Sequence, residues 1–104
     1  MPTFVNLVRF TAEGAKDITK SKGRWERFQQ RVSEAGGRVV GGYGLLGEYD
    51  LLVITELPDE KAAMKMAIAA SSQGTVSTET FTAVPISEFY NLVDQAAGAT
   101  AARS

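Results

Sequence analysis

The chain has 104 residues, 44% of them hydrophobic and 22% charged, which suits one compact domain and is too short for two, since domains centre near ~100–150 residues. Its 11 Lys and Arg against 12 Asp and Glu leave a formal net charge of −1, which argues against a sequence-blind binder of nucleic acid or membrane surfaces, because these need a strong basic excess. With 0 His and 0 Cys there is no imidazole base, no thiolate and no usual transition-metal ligand, so Cys–His, Ser–His and zinc chemistries are ruled out and no metal or cofactor is expected.

No stretch approaches the ~20 apolar residues of a membrane span, and Met1-Pro2-Thr3-Phe4 lacks the basic region and apolar core of a secretory signal. A soluble cytoplasmic domain is expected. Thr3 to Phe10 is rich in β-branched and aromatic residues, with Phe4, Val8 and Phe10 on one side and Val5 and Leu7 on the other, as in a strand covered on both faces. Thr11 is placed to cap a short helical stretch through Ile18. After a polar break at Lys20-Ser21-Lys22-Gly23, the residues Trp25, Phe28, Val32 and Ala35 recur at helical spacing until Gly36-Gly37 ends the helix.

Arg38 to Leu46 reads as a second strand loosened by Gly41, Gly42 and Gly44, with Gly47-Glu48 as the turn of a hairpin into Tyr49 to Glu56. The third strand carries four consecutive apolar residues from Leu51 to Ile54 and is expected at the centre of the sheet. Asp59 caps a second helix whose inner stripe, Ala63, Met66, Ala67 and Ala70, is unusually thin; Gly74 closes it. Thr75 to Val84 is the fourth strand, with Thr78, Thr80 and Thr82 on one face and Glu79 and Phe81 on the other. Pro85 ends it, and Ser87 is placed to cap a short last helix carrying Phe89, Leu92 and Val93. A single domain over residues 1–95 with a flexible, Ala-rich tail over residues 96–104 follows.

The order is β-α-β-β-α-β plus a terminal helix, the α+β ferredoxin-like arrangement: a four-stranded antiparallel sheet with the first and third strands in the middle and both helices on one face. The other face is bare. Leu51 and Val53 point one way, Leu52 and Ile54 the other, so the bare face is apolar too and needs a cover. A second subunit packing sheet against sheet supplies it, which predicts a homodimer or a higher homo-oligomer built from it.

Gly42-Tyr43-Gly44-Leu45-Leu46-Gly47 matches the G-x-G-x-x-G phosphate loop. It runs into an extended segment, however, where a dinucleotide site needs a helix N-terminus, so bends or bulges in the strand are the better reading. The carboxylates Glu48, Asp50, Glu56 and Glu79 are the available acids and bases. Asp50 opens an apolar strand, where its charge must be paired, hydrogen-bonded or facing a cavity; hydrogen bonds near the turn are the favoured reading. Asn6 and Arg9 interrupt the first strand and point to opposite faces by alternation. Tyr43 and Tyr49 flank the hairpin, where their rings bury area and their hydroxyls stay wet. Trp25 is read as core, and the basic run Lys20, Lys22, Arg24, Arg27 and Arg31 as a solvated helix face, with Arg24 or Arg27 near an anion as the exception.

The residues Leu46-Gly47-Glu48-Tyr49-Asp50-Leu51-Leu52-Val53-Ile54, then Leu57-Pro58-Asp59-Glu60, then Thr78-Glu79-Thr80, resemble the GYD domain family of small bacterial and archaeal proteins. The similarity runs from Phe4 through Phe89 and includes Phe10-Thr11 and Gly36-Gly37. It implies a ferredoxin-like domain of the dimeric α/β-barrel type and no established activity. The family's Gly-x-Tyr-Asp element falls on Gly47, Tyr49 and Asp50, and its Thr-Glu-Thr element on Thr78, Glu79 and Thr80.

Three functions compete. The first is an oligomeric module that binds a small metabolite between the bare sheet face, the partner subunit and the hairpin, with Asn6, Arg9, Tyr43, Tyr49, Asp50 and Glu79 as the candidate binding residues. The second is a cofactor-free monooxygenase or isomerase acting on a hydrophobic cyclic substrate through Asp50, Glu79, Arg9, Asn6 or Tyr49; the lack of His leans against an enzyme. The third is a structural oligomer or partner-binding protein.

Overall fold

A computed structural model describes residues 1–103, with side chains through Gly98. The strands are β1 (Thr3–Phe10), β2 (Arg38–Gly44), β3 (Leu51–Glu56) and β4 (Val76–Ala83). They form one antiparallel sheet in the order β2-β3-β1-β4. The first and third strands are therefore central, as the apolar runs require. Thr3 faces Glu56 on one side and Ala83 on the other, and Val5 faces Ile54 and Phe81.

On the helix side, Thr11 caps α1 (Ala12–Lys16), its hydroxyl accepting from the Gly14 N–H at 3.1 Å. A 3-10 turn (Ile18–Lys20) leads into α2 (Ser21–Glu34). The expected break at Lys20 to Gly23 is mostly the first turn of α2: the stripe Trp25, Phe28 and Val32 docks on the sheet, and that packing outweighs the poor propensity of Gly23. Asp59 caps α3 (Glu60–Ser72) by accepting from the Ala62 N–H at 2.8 Å.

Phe4, Val32, Leu57 and Ala63 form the buried core, joined by Phe28, Ala35, Val39, Ala62 and Met66. Because Thr3 pairs with Glu56, this core fills the end of the sheet where β1 starts and β3 finishes. The opposite end, around Phe10 and Leu51, is less filled.

Two elements differ from the sequence-based expectation. The hairpin connection is the six-residue segment 45–50 rather than a tight Gly47-Glu48 turn, since β2 stops at Gly44 and β3 begins at Leu51. The last helix, α4 (Ile86–Arg103), is 18 residues long and starts before Ser87. Its alanine run has the highest intrinsic helix propensity, which extends the helix without any apolar anchor. The tail expected over residues 96–104 thus lies in α4 as far as Arg103, and Ser104 is outside the described residues. Among the described residues no helix is long and apolar enough to cross a membrane.

Candidate functional site

The hairpin loop is tied to the end of β1 through Asp50. Its N–H donates to the Val8 carbonyl at 2.8 Å, its carbonyl accepts from the Leu45 N–H at 2.8 Å, and its carboxylate Oδ2 accepts from the Phe10 N–H at 2.8 Å. Gly47 has φ 143°, a backbone conformation other residues rarely adopt. The Gly-x-Tyr-Asp element is thus a loop clamp: glycine makes the bend, and aspartate closes the last open position of the central strand pair. Asp50→Ala removes a charge-assisted, half-buried bond and is expected to cost about 2 kcal/mol in urea unfolding. A cost below about 0.5 kcal/mol would show that the loop holds without its clamp.

Tyr49 folds the other way, over the bare face. Its hydroxyl donates to Glu79 Oε1 at 2.9 Å, and the Arg9 guanidinium lies 4.9 Å from its ring centroid. Arg9 also donates to the Glu48 carboxylate at 2.9 Å and to the Glu48 carbonyl at 3.1 Å. The bond to Glu79 is the largest cause holding the Tyr49 hydroxyl above the ordinary tyrosine range, with desolvation next, the charges of Glu79 and Glu48 adding to it and Arg9 opposing it. A raised folded value for a group that is neutral when protonated means that the bond contributes at neutral pH and that this contribution fades as pH rises through the tyrosine range. The site's carboxylates are thus engaged in bonds to Arg9, Tyr49 and the Phe10 backbone. Among the described residues no three carboxylates gather where one ion could be held.

The six candidates do not share a pocket. Arg9, Tyr49 and Glu79 cluster on the bare face, Asp50 works at the strand end, and Tyr43, 61% exposed, lies on the edge strand opposite Leu52. Asn6 sits on the helix-covered side, where Nδ2 donates to the Val53 carbonyl at 3.2 Å and Oδ1 accepts from the Thr80 hydroxyl at 2.9 Å.

The cavity also lies on the helix side. It has a volume of about 110 Å³ and is bounded by the sheet floor, α2 and α3, with Asn6, Val8, Leu51 and Val53 below and Trp25 and Arg31 among the residues above. Two features open it. The α3 residues facing it are Met66, Ala67 and Ala70, and the two alanines are too small to fill the layer. Trp25 lies so close over Gly42 that a Cβ there would come within 2.8 Å of its ring. The sequence reads Trp25 as core; its stacking on Phe28 at 5.9 Å supports that role, yet it also lines the cavity.

With this geometry in place, comparison with known proteins is direct. The GYD domain family model matches residues 4–93. The chain is 33% identical over 89 residues to the glutamine synthetase and cystathionine beta-lyase binding protein of Thermus thermophilus, covering 85% of this chain and 94% of the relative. Among solved structures it resembles FFRP-DM1, with a TM-score of 0.54 and 23% identity over 81% of this chain and 100% of that one. It also resembles TTHA0845 from Thermus thermophilus, with a TM-score of 0.52 and 23% identity over 82% of this chain and 95% of that one. These two likenesses support the fold alone. The family match and the relative lead to one identification: the chain belongs to the GYD domain family.

Proposed function

We propose that this protein is a non-catalytic, homo-oligomeric module that binds partner proteins. The observation that carries the reading is a broad apolar surface that its own chain covers only in part. Val5, Leu7, Leu52 and Ile54 line the bare sheet face half-buried, Phe81 stands beside them 48% exposed, and α4 exposes Phe89, Tyr90, Leu92 and Val93. Scattered apolar residues are ordinary on a surface, whereas a contiguous sheet face plus a helix is the mark of an interface. A second copy of the chain fits the sheet face, since a two-fold axis pairs like with like and stacked sheets cover one another.

The partner-binding part of the reading draws on the relative, which is named as binding glutamine synthetase and cystathionine beta-lyase. The fully exposed Leu46 in the hairpin loop, beside Leu45, is an apolar knob that suits such a contact. The carboxylates of the Gly-x-Tyr-Asp region support binding over catalysis, because each is occupied in holding the loop. The test is light scattering of the full chain at micromolar concentration, followed by calorimetric titration with glutamine synthetase and cystathionine beta-lyase from its own source organism. A dimer or larger species with saturable heat for at least one enzyme is expected. A monomer that gives no heat with either would overturn the proposal.

A further inference from the structure

We propose that the cavity between α2, α3 and the sheet is a binding site for a small organic anion, a carboxylate carried on a short aliphatic or single-ring body. The cavity has charge of one sign only. Arg24 and Arg31, seven residues and two helical turns apart on α2, both line it, and no Asp or Glu does. The two ion pairs among the described residues, Arg9 with Glu48 and Arg38 with Glu56, lie elsewhere.

What touches the two guanidinium groups orients them without neutralising them. Arg24 donates to the carbonyls of Gly14 and Asp17, each at 3.4 Å. Gln73, with its amide oxygen turned toward α2, accepts from both terminal nitrogens of Arg31 at 2.9 and 3.0 Å. A neutral amide so placed is what a carboxylate would displace or join, since it occupies the forked donor pair that recognises a planar anion. Two half-buried cations without a counter-ion are an electrostatic deficit that a bound anion removes.

The rest of the cavity selects the body. Val8, Leu51 and Val53 make an apolar floor, Trp25 and Phe28 an aromatic wall, and Asn6 has both ends of its amide already bonded. A preformed cavity of roughly 150 Å³ holds a benzene ring. At 110 Å³ the cavity here is smaller than that, so it takes a short chain outright and a single ring only where part of the ring extends past its mouth. Trp25 also lines an adjoining groove of about 280 Å³ that shares Leu51 and Val53, which leaves room for a somewhat larger body.

Trp25 is the sole tryptophan and reports on the cavity directly. The experiment titrates the full chain at constant ionic strength with sodium benzoate and sodium hexanoate, with benzyl alcohol and hexylamine as uncharged and cationic comparators, and reads Trp25 fluorescence. A saturable change is expected for at least one carboxylate, with binding at least about tenfold weaker for the comparators. Arg31→Gln and Arg24→Gln are each expected to weaken carboxylate binding about tenfold, and Arg31→Lys less, with thermal melts confirming that each variant is folded. An equal response to benzyl alcohol or hexylamine would overturn the proposal. So would the absence of saturation by either carboxylate below about 10 mM, or full affinity in both folded Gln variants.

Discussion

Gly14→Ala is expected to destabilise the fold by about 3 kcal/mol, a large share of the ~5–15 kcal/mol available to a domain of this kind. Gly14 is buried, and a methyl group built there would run directly into the Thr75 carbonyl oxygen. That oxygen cannot simply step aside, because it accepts from the Thr11 N–H at 3.1 Å and is the seam between the start of α1 and the approach to β4. Thr11 is committed on both sides: its hydroxyl accepts from Gly14 and donates to the Gly74 carbonyl at 2.6 Å. The substitution therefore combines overpacking against backbone, typically about 1–3 kcal/mol, with damage to a helix cap worth about 1 kcal/mol. Urea unfolding followed by circular dichroism measures the change. A loss below about 1 kcal/mol would mean that α1 slides away from β4 freely. The same variant bears on the cavity, because the Gly14 carbonyl is one of the two groups holding Arg24, so weaker benzoate binding should accompany the lost stability.

The order of the sheet was legible because Leu51 to Ile54 puts apolar residues on both faces, which only a central strand of this topology needs. The caps at Thr11 and Asp59 were legible for a local reason, since a hydroxyl or carboxylate ahead of a helix meets the same free N–H groups in any fold. The structural role of Asp50 was the favoured reading, and alternation alone separated Asn6 from Arg9. The hairpin was misjudged because its loop is held by tertiary bonds, Asp50 to β1 and Arg9 to Glu48, which no local turn rule contains. The cavity was hidden for a similar reason. Its signals were present as a thin α3 and a pair of arginines at i and i+7, but small residues on one helix become a void only once the facing helix and the floor are known. The Arg9, Tyr49 and Glu79 cluster lies on the bare face beside the hairpin, and the cavity within the single chain lies on the opposite face of the sheet.

Ile54→Lys is expected to convert the proposed sheet-on-sheet dimer to monomers while leaving each monomer folded. Ile54 lies on a central strand of the bare face, between Val5 on β1 and Gly41 on the edge strand β2, so in a sheet-on-sheet pair its side chain is directed at the partner sheet. Burying an unpaired charge costs about 3–5 kcal/mol, and the two-fold symmetry of such an interface places one lysine on each side, so association should weaken by at least about a thousandfold. In the monomer the same side chain stands on an open face, and the cost there should stay within about 1 kcal/mol. Sedimentation velocity across a concentration series reads the first effect and thermal melting the second. A variant that remains oligomeric would move the interface to α4, where Phe89→Glu is the corresponding change. Titration of the monomeric variant with the partner enzymes then separates two designs. Retained binding would assign recognition to the Leu46 loop of a single chain, because that loop does not depend on the sheet face. Lost binding from a folded monomer would mean that the partner reads a surface shared by two copies, and self-association would then be the step that makes the module competent to bind.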